Sequence, residues 1–176
     1  MRSSGLSFYA SEAILGQNSS GWVGTGVTTY SCTTDYIDLI GIPNVLNNTN
    51  STTPVPTTLA STFNNLPSHF GINFVLTVFK VDYWGYVPAT NLSNINRLTP
   101  LNLTVRVSSP ATVDVTYTLR LDNSYGANIC GETDNEMMLT LPAEIPDHSS
   151  SQVTITIEAP DRGVFVRDLE LYLGNC

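Results

Sequence analysis

The chain has 176 residues, 41% of them hydrophobic, with seven basic and fifteen acidic side chains and a formal net charge of −8; that is enough length and apolar content for one packed domain without a metal or a dense disulfide framework. The acidic balance and scattered cations exclude nucleic-acid binding, which needs clustered Lys or Arg, and no apolar run is long enough for membrane insertion as a helix. Charged residues are only 12%, lysine occurs once at Lys80, and Ser, Thr and Asn (17, 22 and 16) supply the polar surface instead, about half the usual share of charge and a composition suited to an extracellular, cell-surface or virion setting.

Met1-Arg2-Ser3-Ser4-Gly5 lacks the apolar stretch of a secretion signal, which fits a mature form or a virion component. Leu6–Leu15 has strand character, with Leu6, Phe8, Ala10 and Ile14 as its assembly residues, and precedes a Gly- and Asn-rich break at Gly16–Gly21. It reads as an ordinary first strand or as an arm over residues 1–20 that adds to the sheet edge of the next subunit. In the second case backbone hydrogen bonds give affinity and alternate side chains give specificity. Repeated head to tail, that contact builds an open homopolymer.

Residues 21–176 read as the main domain. Trp22–Tyr30 and Asp35–Ile40 are weak strands, and residues 42–69 are an interruption, Asn-rich at Asn44–Asn50 and then Pro- and Thr-rich. Such a segment predicts a surface excursion, an extended strap or a crossing between sub-sheets. Phe70–Val81 is apolar on both faces for most of its length, the pattern of a strand covered on both sides. Tyr83-Trp84-Gly85-Tyr86 follows it and, with Trp22, offers rings either for packing on the core or for stacking on a sugar.

The second half carries the clearest signal. Leu101–Val107, Thr112–Leu121 and Gln152–Ala159 alternate apolar and polar residues with a period of two, which places one whole set on one face of a strand. Met137–Leu141 is a weaker case, and Gly163–Gly174 alternates with a break at Arg167. Pro100, Pro110, Pro142, Pro146 and Pro160 punctuate the run. The fold class is therefore all-β, an antiparallel β-sandwich of immunoglobulin-like or jelly-roll-like plan with an N-terminal strand that can be donated.

Sequons stand at Asn18, Asn47, Asn50, Asn91 and Asn102; an Asn- and Ser/Thr-rich chain generates several by chance, so N-linked glycans are expected only if the protein is secreted. Of the three cysteines, Cys130 and Cys176 are the favoured pair, with the pairings of Cys32, free thiols and an intermolecular bridge as alternatives. Glu132, Asp134 and Glu136 could ligate calcium but lack a calcium-loop pattern and read first as a solvated turn. No other cofactor or metal is expected. His69 and His148 lie among Ser and Pro, and a triad of His148, Asp147 and a serine of 149–151 is only a paper assembly of sequence neighbours. The reading is of a protein that is not an enzyme.

The lone Lys80, the Ser/Thr/Asn surface, the sequons and the separable N-terminal strand together resemble archaeal extracellular thread-type filament subunits linked by donated strands. Ser151–Pro160 and Gly163–Arg167 resemble the last two strands of immunoglobulin-like or fibronectin-type domains. The first resemblance implies a self-assembling surface filament. A virion structural protein (capsid, decoration or spike) is the alternative, and a carbohydrate-binding or adhesion module the second alternative.

Overall fold

The computed structural model describes residues 6–11, 21–24, 26–32, 37–42, 57–80, 101–110, 112–121, 137–159 and 164–174. Among them are eleven strands: β1 (Leu6–Ser11), β2 (Trp22–Val23), β3 (Thr28–Cys32), β4 (Ile37–Ile42), β5 (Thr57–Asn64), β6 (Ile72–Lys80), β7 (Leu101–Ser109), β8 (Thr112–Leu121), β9 (Met137–Ile145), β10 (Gln152–Ala159) and β11 (Val164–Gly174). One sheet runs β3-β4-β11-β6-β9 with β1 also on β11; the other runs β2-β5-β10-β7-β8. Every pairing is antiparallel. The fold is an all-β sandwich.

The alternation that predicts the strands also builds the core. Val153, Ile155, Ile157 and Ala159 of β10 and Leu103, Val105 and Val107 of β7 are buried. They join Ile72, Phe74, Leu76 and Val78 of β6 and Leu169, Leu171 and Leu173 of β11 in one apolar cluster between the sheets, the inner faces meeting as in any aligned sandwich. Burial of each such side chain contributes about 1.5–3 kcal/mol before chain entropy is subtracted. Tyr117 of β8 packs edge-on to Phe74 across the core, with ring centroids 6.1 Å apart, and its hydroxyl donates to the Glu144 carbonyl on β9 at 3.3 Å.

Three details differ from the sequence reading, and a fourth gains its cause. The weak Trp22–Tyr30 strand is two strands in different sheets, β2 on β5 and β3 on β4. The 42–69 interruption contains β5, which lies between β2 and β10 with Leu59, Ser61 and Phe63 buried; its inward set includes a serine, and Ala60 stands on its outward side, so the contrast between faces is faint. Pro142 does not end β9 but sits inside it. Among the described strands β9 is an edge strand bonded to β6 alone, and an edge tolerates a residue without an N–H. The break at Arg167 is a β-bulge on β11 between Val166 and Asp168, after which the inward residues change from even to odd numbers.

β1 lies beside β11 of its own chain, along Glu170–Gly174, while β4 occupies the same side of β11 along Val164–Val166. Leu6, Phe8 and Ala10 are thus in strand register with Gly174, Tyr172 and Leu171. No helix among the described residues is long and apolar enough to cross a membrane.

Candidate functional site

The outer face of the six-stranded sheet is built from residues that alternate with the core set. Across β11, β6 and β9 they form rows: Tyr172, Asn73 and Glu144; Glu170, Val75 and Pro142; Asp168, Thr77 and Thr140; Phe165, Phe79 and Met138. The last row is largely closed, since Phe79 and Phe165 are buried together with Leu39 of β4. The first two rows are the more accessible: Glu144 and Pro142 are exposed, and Tyr172, Asn73, Glu170 and Val75 are half-buried. Across β11, β6 and β9 Tyr172 is the aromatic residue of these two rows, and on its other side Phe8 of β1 is its partner in strand register.

Tyr172 is held by its own strand. Its hydroxyl donates to Glu170 Oε2 at 2.6 Å, a contact made by two outward residues one repeat apart. That hydrogen bond, then desolvation and the Glu170 charge, raise the phenol above its ordinary pKa, so the ring stays neutral near pH 7 and its oxygen keeps an accepting lone pair. Further along the face, Arg167 pairs with Asp168 at 3.4 Å and donates to Met138 Sδ at 3.6 Å. An aromatic face bordered by Asn73, Glu170 and Glu144 is chemically suited to a sugar ring, whose C–H side stacks and whose hydroxyls hydrogen-bond.

The opposite outer face is different. On the five-stranded sheet, Thr58, Thr62, Thr154, Thr156, Thr104, Thr116 and Thr118 stand among Arg106, Arg120 and Glu158. Thr62 and Thr154 bond at 2.9 Å, and Gln152 donates to Asn64 at 2.6 Å. Its described strands present no aromatic ring there; Trp22, at the edge, turns into the core and is 4% exposed. Packing is the role the structure gives that indole.

One end of the sandwich is fastened by a histidine pair. His69 Nδ1 is 2.6 Å from the Pro67 carbonyl, and His69 Nε2 is 2.7 Å from His148 Nδ1. Both rings are buried, with centroids 5.0 Å apart and planes 19° from parallel. The carbonyl fixes the proton on His69 Nδ1, so in the neutral pair His148 donates to His69 and leaves its own Nε2 as a bare acceptor. That Nε2 is buried without a hydrogen-bond partner. Burial first, then the neighbouring His69, lower the His148 pKa, and the Gln152 backbone acts more weakly in the other direction. Around the pair, Gly71 N donates to the His148 carbonyl (2.7 Å), Leu66 N to Ser151 (2.9 Å), Phe70 N to Gly174 (2.8 Å) and Gly174 N to Gly71 (3.0 Å).

Among the sequence candidates, Asn102 is exposed on the outer face of the five-stranded sheet, opposite Arg120. Asn18, Asn47, Asn50, Asn91, Ile14, Cys130, Cys176, Glu132, Asp134, Glu136 and the Tyr83–Tyr86 cluster lie outside the described residues. His148 is joined to His69 instead of to a serine. Tyr172 was legible only as an outward position on an alternating strand, and nothing in the spacing of residues 69 and 148 announces their pairing.

No family model matches the chain, and no curated protein does. Among solved structures, it is similar to the CBM22-1 xylan-binding domain from Paenibacillus barcinonensis, with 9% identity, 99% of each chain covered and a TM-score of 0.56. It is also similar to TmCBM27, a carbohydrate-binding module described for specific mannan recognition (9% identity, 96% of this chain and 98% of that one, TM-score 0.51). A third is TmCBM61 in complex with β-1,4-galactotriose (11% identity, 88% and 89% covered, TM-score 0.51). At these identities the likeness is one of fold.

Proposed function

We propose that this chain is a non-catalytic carbohydrate-binding domain that holds a glycan on the outer face of the six-stranded sheet, across Tyr172, Asn73, Glu170 and Glu144. The observation that carries the reading is Tyr172, a neutral, half-buried ring on the outer sheet face with the hydrogen-bonding side chains of Glu170, Asn73 and Glu144 in its own and the neighbouring strands. Its fold, shared over nearly the whole chain with domains named for xylan, mannan and galactotriose, supports the same class of ligand. Polysaccharide as ligand goes with an extracellular place of work.

Homopolymerisation by strand donation would require β1 to leave β11 of its own chain for β11 of a neighbour. The test of the glycan reading is native affinity electrophoresis in gels containing soluble xylan, mannan or galactan. Retardation in at least one gel, reduced by Tyr172→Ala, is the expected result. Free migration in all of them, or retardation that Tyr172→Ala leaves intact, removes the proposal.

A further inference from the structure

The histidine pair sits where three segments that carry the platform meet. Gly71 is two residues before Asn73, Gly174 two after Tyr172, and His148 four after Glu144. The chain Phe70 N to Gly174 O, Gly174 N to Gly71 O and Gly71 N to His148 O ties these three strand ends to one another. The tie is tight. A Cβ on Gly174 would lie 2.6 Å from the Phe70 carbonyl oxygen, and Gly71 takes φ +91°, a backbone conformation that glycine adopts without strain.

The side chains that hold the turns on either side of this tie are His69 and His148; one added proton leaves the bond between them in place but turns the buried pair into a cation. With His69 Nδ1 donating to Pro67 and one proton between the rings, any added proton ends on His148 Nε2. That position is buried and has no hydrogen-bond partner, and the Gln152 backbone, which favours the protonated ring, offsets the burial only in part. The cation, on whichever ring it resides, is then enclosed with an unsatisfied N–H, which is costly. In the segments that meet here, residues 64–71, 144–152 and 172–174, the charged groups are Glu144 and Asp147, both exposed, and the remaining titratable group is Tyr172. Neither carboxylate is an ion-pair partner of the histidines among the described contacts.

We infer that His69 and His148 form an acid-sensitive latch: closed when neutral, and opening the turns at residues 65–71 and 146–151 when protonated. Histidine is the side chain suited to such switching near neutral pH. If the glycan reading above is correct, the same opening loosens the ends of the strands that present Tyr172, Asn73 and Glu144, so ligand is released as the medium acidifies. The latch itself does not depend on that reading.

Amide hydrogen exchange at pH 7.5 and pH 5.0, corrected for intrinsic rates, tests the latch in the full chain. Protection at Leu66, Gly71 and Gly174 should fall at pH 5.0, by about tenfold for each unit by which the folded histidine's pKa lies below its ordinary value, while Ile155 and Ile157 in the core stay protected. His148→Gln should remove the difference between the two pH values. Equal protection of the wild type at both, or an undiminished difference in the variant, overturns the inference. Imidazole nitrogen NMR of the wild type is a check that needs no variant: His69 protonated on Nδ1 and His148 bare at Nε2 at pH 7.5 is required, and the opposite tautomers reject the latch. Binding of soluble xylan, mannan and galactan at both pH values separates the two proposals. Absence of binding at either pH counts against the glycan reading alone, and exchange still judges the latch.

Discussion

Tyr172 and Glu170, two residues apart on β11, are joined by a 2.6 Å hydrogen bond on the outer face of the sheet. The bond fixes the ring by its rim and commits one carboxylate oxygen of Glu170.

Replacement of Tyr172 separates stacking from hydrogen bonding. Tyr172→Ala removes the ring, and isothermal titration with the best-retained polysaccharide should show affinity lower by roughly two- to tenfold, the equivalent of about 0.5–1.5 kcal/mol of ring contact. Tyr172→Phe keeps the stacking face and should bind nearly as the wild type. A Phe variant as weak as the Ala variant would place the interaction on the hydroxyl instead.

The phenol itself reports the Glu170 contact. Tyr172 is held above its ordinary pKa, chiefly by the hydrogen bond to Glu170. Ultraviolet difference titration of the wild type and of Glu170→Gln should show one tyrosine ionising at lower pH in the variant. An unchanged titration argues against the contact in solution.

The pH dependence of global stability follows from His148. Its folded pKa lies below 6.5, so the neutral form is favoured in the native state. This contribution is complete above pH 6.5, where native and unfolded chains are both neutral. It is lost as pH falls below 6.5, because the unfolded chain binds its proton first. Urea midpoints compared between pH 7.5 and about 5, above the main range of carboxylate titration, should decline in the wild type and decline less in His148→Gln.

Gly174→Ala tests the close approach of β11 to the Phe70 turn. Its Cβ would meet the Phe70 carbonyl oxygen at 2.6 Å, and relief requires backbone displacement, at a cost of about 1–3 kcal/mol. Urea denaturation that returns wild-type stability would show that the strand end is looser than the structure has it.

Neighbouring positions on β10 give the internal control for the core. Ile155 is fully buried, and Ile155→Ala should cost about 2–5 kcal/mol. Thr156 points outward and is half-buried; Thr156→Ala should stay within about 0.5–1 kcal/mol. Similar losses at both would contradict the register of the strand.

The strands that were plain in the sequence are those with one dry and one wet face. Thr112–Leu121 and Gln152–Ala159 have the bounds their alternation predicts. β5 escaped because Ser61 is buried while Ala60 faces outward, which inverts the expected contrast at its centre. β11 was read with one irregular residue, and the bulge at Val166/Asp168 supplies the cause. Tyr172 belongs to the polar register of an apolar strand, where a ring attracts no notice until the face it stands on is known. The His69–His148 bond spans 79 residues and arises from the meeting of two turns, which no local pattern encodes.

Pro142 has a bearing beyond the strand it occupies. Among the described strands β9 forms the outer margin of its sheet, and a proline midway along a margin leaves a gap in the row of donors that an incoming strand would need. Side-by-side growth of sheets is thus interrupted at β9. A border of this kind lets copies of the domain crowd together without fusing edge to edge.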